Sequence, residues 1–208
     1  MQQGNFLLTV RKMRTKAMKV AGVGAILALL FTRPLWPMDS LAYLIFQSVG
    51  YLLVVIGALG RLWCIFYIAG RKCRELVTAG PYAMCRNPLY LFSFAIGLGA
   101  TMIFQNLIVL ILFIVFFIVF HTAAVTVEEG DLGAAFGEDF QNYCQRVPRF
   151  FPKVWNLSPS IKEVPSVTAS TRHIFRGLLD TILFLLIPVF AQFFLLLYQK
   201  GILPLTGN

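Results

Sequence analysis

Between two long apolar runs the chain carries a dense polar insert, Thr78-Ala79-Gly80-Pro81-Tyr82-Ala83-Met84-Cys85-Arg86-Asn87-Pro88-Leu89-Tyr90. Gly80-Pro81 predicts a turn, because glycine tolerates unusual backbone angles and proline fixes φ and removes a donor. Asn87-Pro88 predicts the start of the next helix, with Asn87 as N-cap and Pro88 at the first helical position. Unpaired amides gather at a helix N-terminus, so with Arg86 beside it this stretch is a candidate anion site. Further along, His121 and Glu128 stand about two helical turns apart and share one face. Glu128-Glu129 offers paired carboxylates to cationic or hydroxyl groups, and Tyr143 and Arg149 follow in a second polar stretch. Taken singly, each has a plainer reading: a connecting loop, a packed histidine, an acidic first turn complementing a helix dipole. Taken together they pair an anion site with a cation site.

The elements that must position these residues are membrane helices. A single domain of 208 residues that is 58% hydrophobic and 13% charged, with mean hydropathy +0.76, is far more apolar than a soluble protein. The expected fold is an all-α integral membrane protein with about five spans and an amphipathic helix on the cytoplasmic surface. Apolar runs at 20–36, 41–69, 89–104, 107–126 and 177–198 supply the spans. The 41–69 run exceeds a bilayer's need, and its 62–69 portion is expected to project past the hydrocarbon, carrying Arg61 to the interface to snorkel. Gln105-Asn106 joins the third and fourth runs so tightly that they must form an antiparallel hairpin, with Gly97 and Gly99 allowing close packing. Glu128-Glu129-Gly130-Asp131 is expected to open a separate element. From there Leu132, Phe136, Phe140, Tyr143 and Val147 recur at spacings of three and four, an amphipathic helix ending at Val147-Pro148-Arg149-Phe150-Phe151-Pro152. The chain divides into 1–78 (basic segment and two spans), 79–153 (polar loop, hairpin and surface helix) and 154–208 (linker and last span).

The net charge of +9 has a topological cause. Arg11, Lys12, Arg14, Lys16 and Lys19 form a juxtamembrane arm suited to anionic lipids, and basic residues accumulate on the cytoplasmic side. With the N-terminus inside, the opposite side keeps only Arg33 and Lys200, and the polar loop, the glutamates and the 143–152 turn share the cytoplasmic face. No basic and aromatic pattern of a nucleic-acid-binding protein is present. The four cysteines (Cys64, Cys73, Cys85, Cys144) follow neither metal nor disulfide spacing, so no metal site is expected and they read as reduced packing residues. The first apolar run lacks a small-residue cleavage site, and no cleavable signal peptide is expected. Nothing in the sequence sets an oligomeric state.

Gly80-Pro81-Tyr82, Arg86-Asn87-Pro88-Leu89-Tyr90, Glu128-Glu129-Gly130-Asp131-Leu132, Phe136-Gly137 with Tyr143, and Val147-Pro148-Arg149-Phe150-Phe151-Pro152 occur in fixed order. This array resembles the membrane methyltransferases of the isoprenylcysteine carboxyl methyltransferase and phospholipid methyltransferase superfamily, whose pattern reads roughly GPY, R-[HN]-P-x-Y, EExxL, FGxxY, PRFxP. The resemblance covers Gly80 to Pro152. It implies methyl transfer from S-adenosylmethionine, whose carboxylate, ammonium, sulfonium and ribose diol also suit the paired anion and cation sites. Gly80, Pro81, Tyr82, Arg86, Asn87, Pro88, Tyr90, Glu128 and Glu129 would then line the cofactor pocket, with His121 beside them. Arg86, Glu128, Glu129 and Arg149 are the candidate catalytic residues, Arg149 lying nearer the acceptor or closing the lid. Asn87 stands where the carboxyl methyltransferases more often have histidine, Phe92 replaces a usual glycine, and Phe140 a frequent tyrosine. The cofactor expectation survives these departures; an isoprenylcysteine substrate does not follow.

The acceptor implied is lipidic, either a prenylated cysteine carboxylate or a phospholipid-type amine, entering from membrane lipids at the cytoplasmic face. The short chain, with no retention or lipidation signal, favours a bacterial inner membrane over the endoplasmic reticulum. A membrane reductase of the sterol-reductase type, using a nicotinamide cofactor, shares a related helical architecture and is the nearest rival. A small transporter or a non-catalytic adaptor are rivals of other classes, and the transporter lacks the paired broken helices such proteins use.

Overall fold

The computed structural model describes residues 35–71, 74–157 and 171–201, and these are helical with no strand among them. The N-terminal arm, most of the first apolar run, Cys73 and most of the 154–170 linker lie outside the described residues. Helix α1 spans Leu41–Ile68 and begins where Ser40 Oγ accepts from the Tyr43 amide at 3.2 Å. A short turn of helix, α2 (Pro81–Met84), lies within the polar insert, and α3 (Pro88–Phe104) follows it with proline in its first turn. Helix α4 (Leu107–Arg146) and the C-terminal α5 (Thr171–Gln199) complete the set, with a 3-10 turn at Val154–Asn156 between them. Leu41–Ile68, Leu107–Arg146 and Gly177–Leu197 are long and apolar enough to cross a membrane, and Pro88–Phe104 is a shorter apolar helix.

Helix α3 is the hub, packed against α1, α4 and α5, with α1 its most extensive partner. The α1–α3 pair is antiparallel and unusually close. A Cβ on Gly50 would fall 2.7 Å from the Gly99 carbonyl, and one on Gly57 would fall 2.7 Å from that of Phe92. Small residues in both helices let the backbones approach, the device that packs helices where no water drives them together. Gly97 opposes the Phe113 ring of α4, so both glycines expected to favour close packing do so. Helix α5 runs antiparallel to α1, with Gly177 against Ile65 at one end and Gln192 Oε1 accepting from Gln47 Nε2 (3.0 Å) and Tyr51 (3.1 Å) at the other. Val54, Ile103, Ala191 and Leu195 form the apolar centre of these three helices.

The expected hairpin is present. Gln105 ends α3 in the left-handed region at φ 55°, and Asn106 caps α4, its Oδ1 accepting from the Ile108 and Val109 amides at 3.0 and 3.1 Å. Gln105 Nε2 donates to the Tyr43 carbonyl at 3.0 Å, which anchors this end to α1.

Two expectations are corrected. The second hairpin arm does not end near Thr126 with a new element opening at Glu128-Glu129. The helix runs straight through Gly130, and its break is at Gly137, where φ 50° and ψ −119° leave helical geometry. Glycine adopts that angle at little steric cost, whereas the neighbouring acidic residues are compatible with a continuing helix. The glutamates therefore ride on the rigid extension of the hairpin. Arg61, expected to snorkel to the interface, is instead buried against α3. The apolar stripe of the 132–147 segment is real: Phe140, Tyr143 and Val147 are buried, with Leu76, Leu132 and Phe136 packed on them.

Candidate active site

The site lies at the end of the bundle where α3 begins. Gly80 turns the chain at φ 61°, and a Cβ there would strike the Tyr67 ring, so glycine is required twice over. The insert that follows is stitched to the turn after α4. The Arg86 amide donates to the Pro148 carbonyl (2.9 Å), the Lys153 amide to that of Met84 (3.0 Å), and Asn156 Nδ2 to that of Ala83 (3.3 Å). Tyr143 closes the same joint from below, its hydroxyl donating to the Tyr82 carbonyl at 2.7 Å. Stretches about sixty residues apart in sequence thus share one backbone frame.

On that frame the charged residues converge. Glu129 is the centre: Arg149 Nε lies 3.0 Å from Oε2, Arg86 Nη1 lies 3.6 Å from Oε1, and Asn87 Nδ2 donates to Oε1 at 3.0 Å. The Arg149 N–H does not point along its contact, which is an ion pair by distance rather than a hydrogen bond. Arg149 Nη2 also donates to Thr126 Oγ1 at 3.0 Å, and Arg86 Nη1 to Cys144 Sγ at 2.6 Å. Glu128, one step round the helix, accepts from the Tyr90 hydroxyl at 3.2 Å. Asn87 occupies the predicted cap position of α3 but makes no side-chain cap; its Nδ2 donates instead to Glu129 Oε1 and to the Arg149 carbonyl.

An aromatic wall adjoins the carboxylates. The His121 ring stands edge-on to Tyr90 at 4.2 Å, stacks on Phe117 at 4.4 Å and lies 5.7 Å from Phe150. Glu128 is within electrostatic reach of the imidazole, as the shared helix face predicts. Arg149 also sits over the Phe150 ring, 5.6 Å from its centroid. Besides Arg149 Nε, the Tyr82 hydroxyl and Arg86 Nε are buried here without a hydrogen bond. Burial pushes the Tyr82 hydroxyl well above its ordinary pKa and the Cys85 thiol up to about 11, so both are neutral at physiological pH.

The structure therefore brings together Arg86, Asn87, Tyr90, His121, Glu128, Glu129 and Arg149, with Gly80, Pro81, Tyr82 and Pro88 shaping the loop beside them. The expected pairing of an anion site with a cation site takes a direct form: both arginines are paired to Glu129, so guanidinium and carboxylate form a single network. Thr126, Cys144, Phe117 and Phe150 also belong here. Phe117 lies on the His121–Glu128 face one turn before His121, and Thr126 one turn before Glu129, spacings that identify them once His121 and Glu129 are taken as site residues. Nothing local marks Cys144. Among the described residues no three His, Cys, Asp or Glu side chains converge as a metal site.

Residues 41–139 match the phospholipid methyltransferase family. The chain is 34% identical over 157 residues to the cobalt-zinc-cadmium resistance protein CzcN of Cupriavidus metallidurans, covering 75% of this chain and 70% of that one. It is 41% identical over 109 residues to the nickel-cobalt-cadmium resistance protein NccN of Alcaligenes xylosoxydans xylosoxydans, covering 51% and 50%. A third relative is the protein-S-isoprenylcysteine O-methyltransferase of Schizosaccharomyces pombe, 34% identical over 89 residues, 42% of this chain and 38% of that enzyme. No solved structure matches. By motif order, helical architecture and these relationships, the chain belongs to the membrane methyltransferase superfamily of the phospholipid and isoprenylcysteine carboxyl methyltransferases.

Proposed function

We propose that the protein transfers a methyl group from S-adenosylmethionine to a lipidic acceptor at the cytoplasmic face of a bacterial inner membrane. The observation that carries this reading is the convergence on Glu129 of Arg86, Asn87 and Arg149 from both ends of the hairpin, with Tyr90 on Glu128 beside them. The residues fit the cofactor. Arg86 Nε and the Tyr82 hydroxyl are buried donors in want of acceptors, and the cofactor's carboxylate and ribose oxygens are acceptors. Glu128 and Glu129 suit its ammonium and its diol. When bound, the sulfonium supplies an electrophilic methyl group.

The chain's own residues then hold, orient and dry the site. Arg86, fixed through its amide to Pro148, orients the cofactor or an anionic acceptor group. Phe117, His121 and Phe150 exclude water, which favours a transfer that disperses positive charge between aligned partners. A carboxylate acceptor needs no base. An amine acceptor that arrives protonated gives its proton to a Glu128 carboxylate oxygen or to the His121 imidazole. Arg149, paired to Glu129 and lying over Phe150, stands between the carboxylates and the 147–152 turn, where a lid residue belongs.

Purified protein incubated with radiolabelled S-adenosylmethionine and total lipid extract should yield a labelled lipid, identified by chromatography and mass spectrometry. S-adenosylhomocysteine should stabilise the protein thermally where a nicotinamide dinucleotide does not. Stabilisation by the dinucleotide alone, with no labelled lipid, would establish the reductase reading instead.

A further inference from the structure

Arg61 belongs to none of the motifs, yet it bears on the foundation of the site. It lies in apolar helix α1, buried to 8% exposure. A guanidinium there is costly to keep, and such groups in spanning helices are retained for a task. Its Nη1 donates to Ser93 Oγ on α3, and Ser93 Oγ donates in turn to the Leu89 carbonyl at 2.7 Å. Leu89 is in the first turn of α3, between Pro88 and Tyr90. That turn has no side-chain cap. Asp180 of α5 is within electrostatic reach of the same guanidinium.

We infer that Arg61 is a positioning residue for the methyltransferase site: through Ser93 it fixes the first turn of α3. The catalytic consequence rests on the function proposed above. A serine hydroxyl bonded to the carbonyl four residues back bends or loosens a helix when it acts alone. A charged donor on that hydroxyl orients it and strengthens the bond it makes. The turn so held presents Asn87 to Glu129 and Tyr90 to Glu128, so slack in it displaces both contacts at once.

Amide hydrogen exchange in detergent reads the turn without any ligand. In Ser93→Ala and Arg61→Met, exchange at residues 91–93, whose amides bond the first-turn carbonyls, should rise about tenfold. Residues 102–104 at the other end of α3 should be unchanged, and Arg61→Lys should restore part of the protection. Wild-type exchange at 91–93 in both variants, or a uniform rise along α1 and α3, would overturn the inference. Ser93→Ala should also weaken S-adenosylhomocysteine binding about tenfold by calorimetry. A wild-type protein that does not bind that compound counts against the proposed function, and the exchange result still decides the role of Arg61.

Discussion

Replacing Glu129 by glutamine removes one negative charge from the point where two guanidiniums and an amide meet. The pair with Arg149 is separated by 3.0 Å and that with Arg86 by 3.6 Å. Coulomb's law at an effective dielectric constant of about 20 gives roughly 5 kcal/mol for the shorter pair. Desolvation offsets most of this, and the Arg149 side chain is 36% exposed, so solvent screens its share further. What survives is a net loss of about 2 kcal/mol for Glu129→Gln, since the two arginines are left facing each other with only a neutral acceptor between them. For a chain of this length that is a fall of about 6 °C in the unfolding midpoint. A double-mutant cycle with Arg149→Gln, followed by unfolding in a fixed detergent, should return a coupling of about 1 kcal/mol. Calorimetry on the same variant should show S-adenosylhomocysteine affinity reduced by more than about tenfold. A midpoint equal to wild type together with a coupling below about 0.3 kcal/mol would refute the network's energetic role. Unaltered affinity would remove Glu129 from the cofactor site.

Tyr90→Phe deletes only the hydroxyl that donates to Glu128, and should cost about 1 kcal/mol of stability while weakening donor binding several-fold; a stability unchanged in denaturant titration would discount that bond. Gly99→Val should abolish folding, because a side chain there meets the Gly50 backbone, whereas Gly130→Ala meets nothing within 4 Å and should stabilise α4 by about 0.5–1 kcal/mol. Equal melting of the two variants would contradict the close α1–α3 crossing. Cys85 supplies a pH test. Burial raises its thiol from 9.0 to about 11, so its contribution is complete below pH 9 and is lost as pH rises through 11. Cys85→Ala should flatten that alkaline loss, and a stability profile identical to wild type between those limits would count against the burial of this thiol.

Much of this arrangement is legible in the sequence because it is written in residues with one physical use. Gly80-Pro81 and Asn87-Pro88 announce their turns, Gln105-Asn106 leaves room only for a hairpin, and the three-and-four spacing from Leu132 to Val147 identifies the buried stripe. What escapes local reading is anything decided by a partner distant in the chain. Asn87 has the composition of a cap, but its side chain makes no cap bond and instead donates through Nδ2 to a carboxylate on another helix. Arg61 has the composition of an interfacial anchor, but close packing through Gly57 and Gly60 puts Ser93 within its reach before the interface is. The helix break was expected where the sequence turns acidic, yet acidic residues continue a helix readily and only the glycine at 137 leaves it. The same blindness to partners hides the direct contact within the expected pair of sites, since one chain position cannot reveal that Arg86 and Glu129 meet.

Among the described helices α4 has a single substantial neighbour, α3, while α1 and α5 brace α3 from other sides. Its far end is fastened by the Asn106 cap and the Gln105 bond to Tyr43, and its outward residues Ile108, Ile111, Val115, Ile118 and Val119 are exposed. Beyond Glu128 and Glu129 it is fastened again, by the contacts of Arg86, Asn87 and Arg149 to Glu129 and by the Tyr143 bond to the Tyr82 carbonyl. Any shift of the polar loop is thus passed straight to the carboxylates through these ties, while the three-helix centre, which α4 does not enter, is left intact.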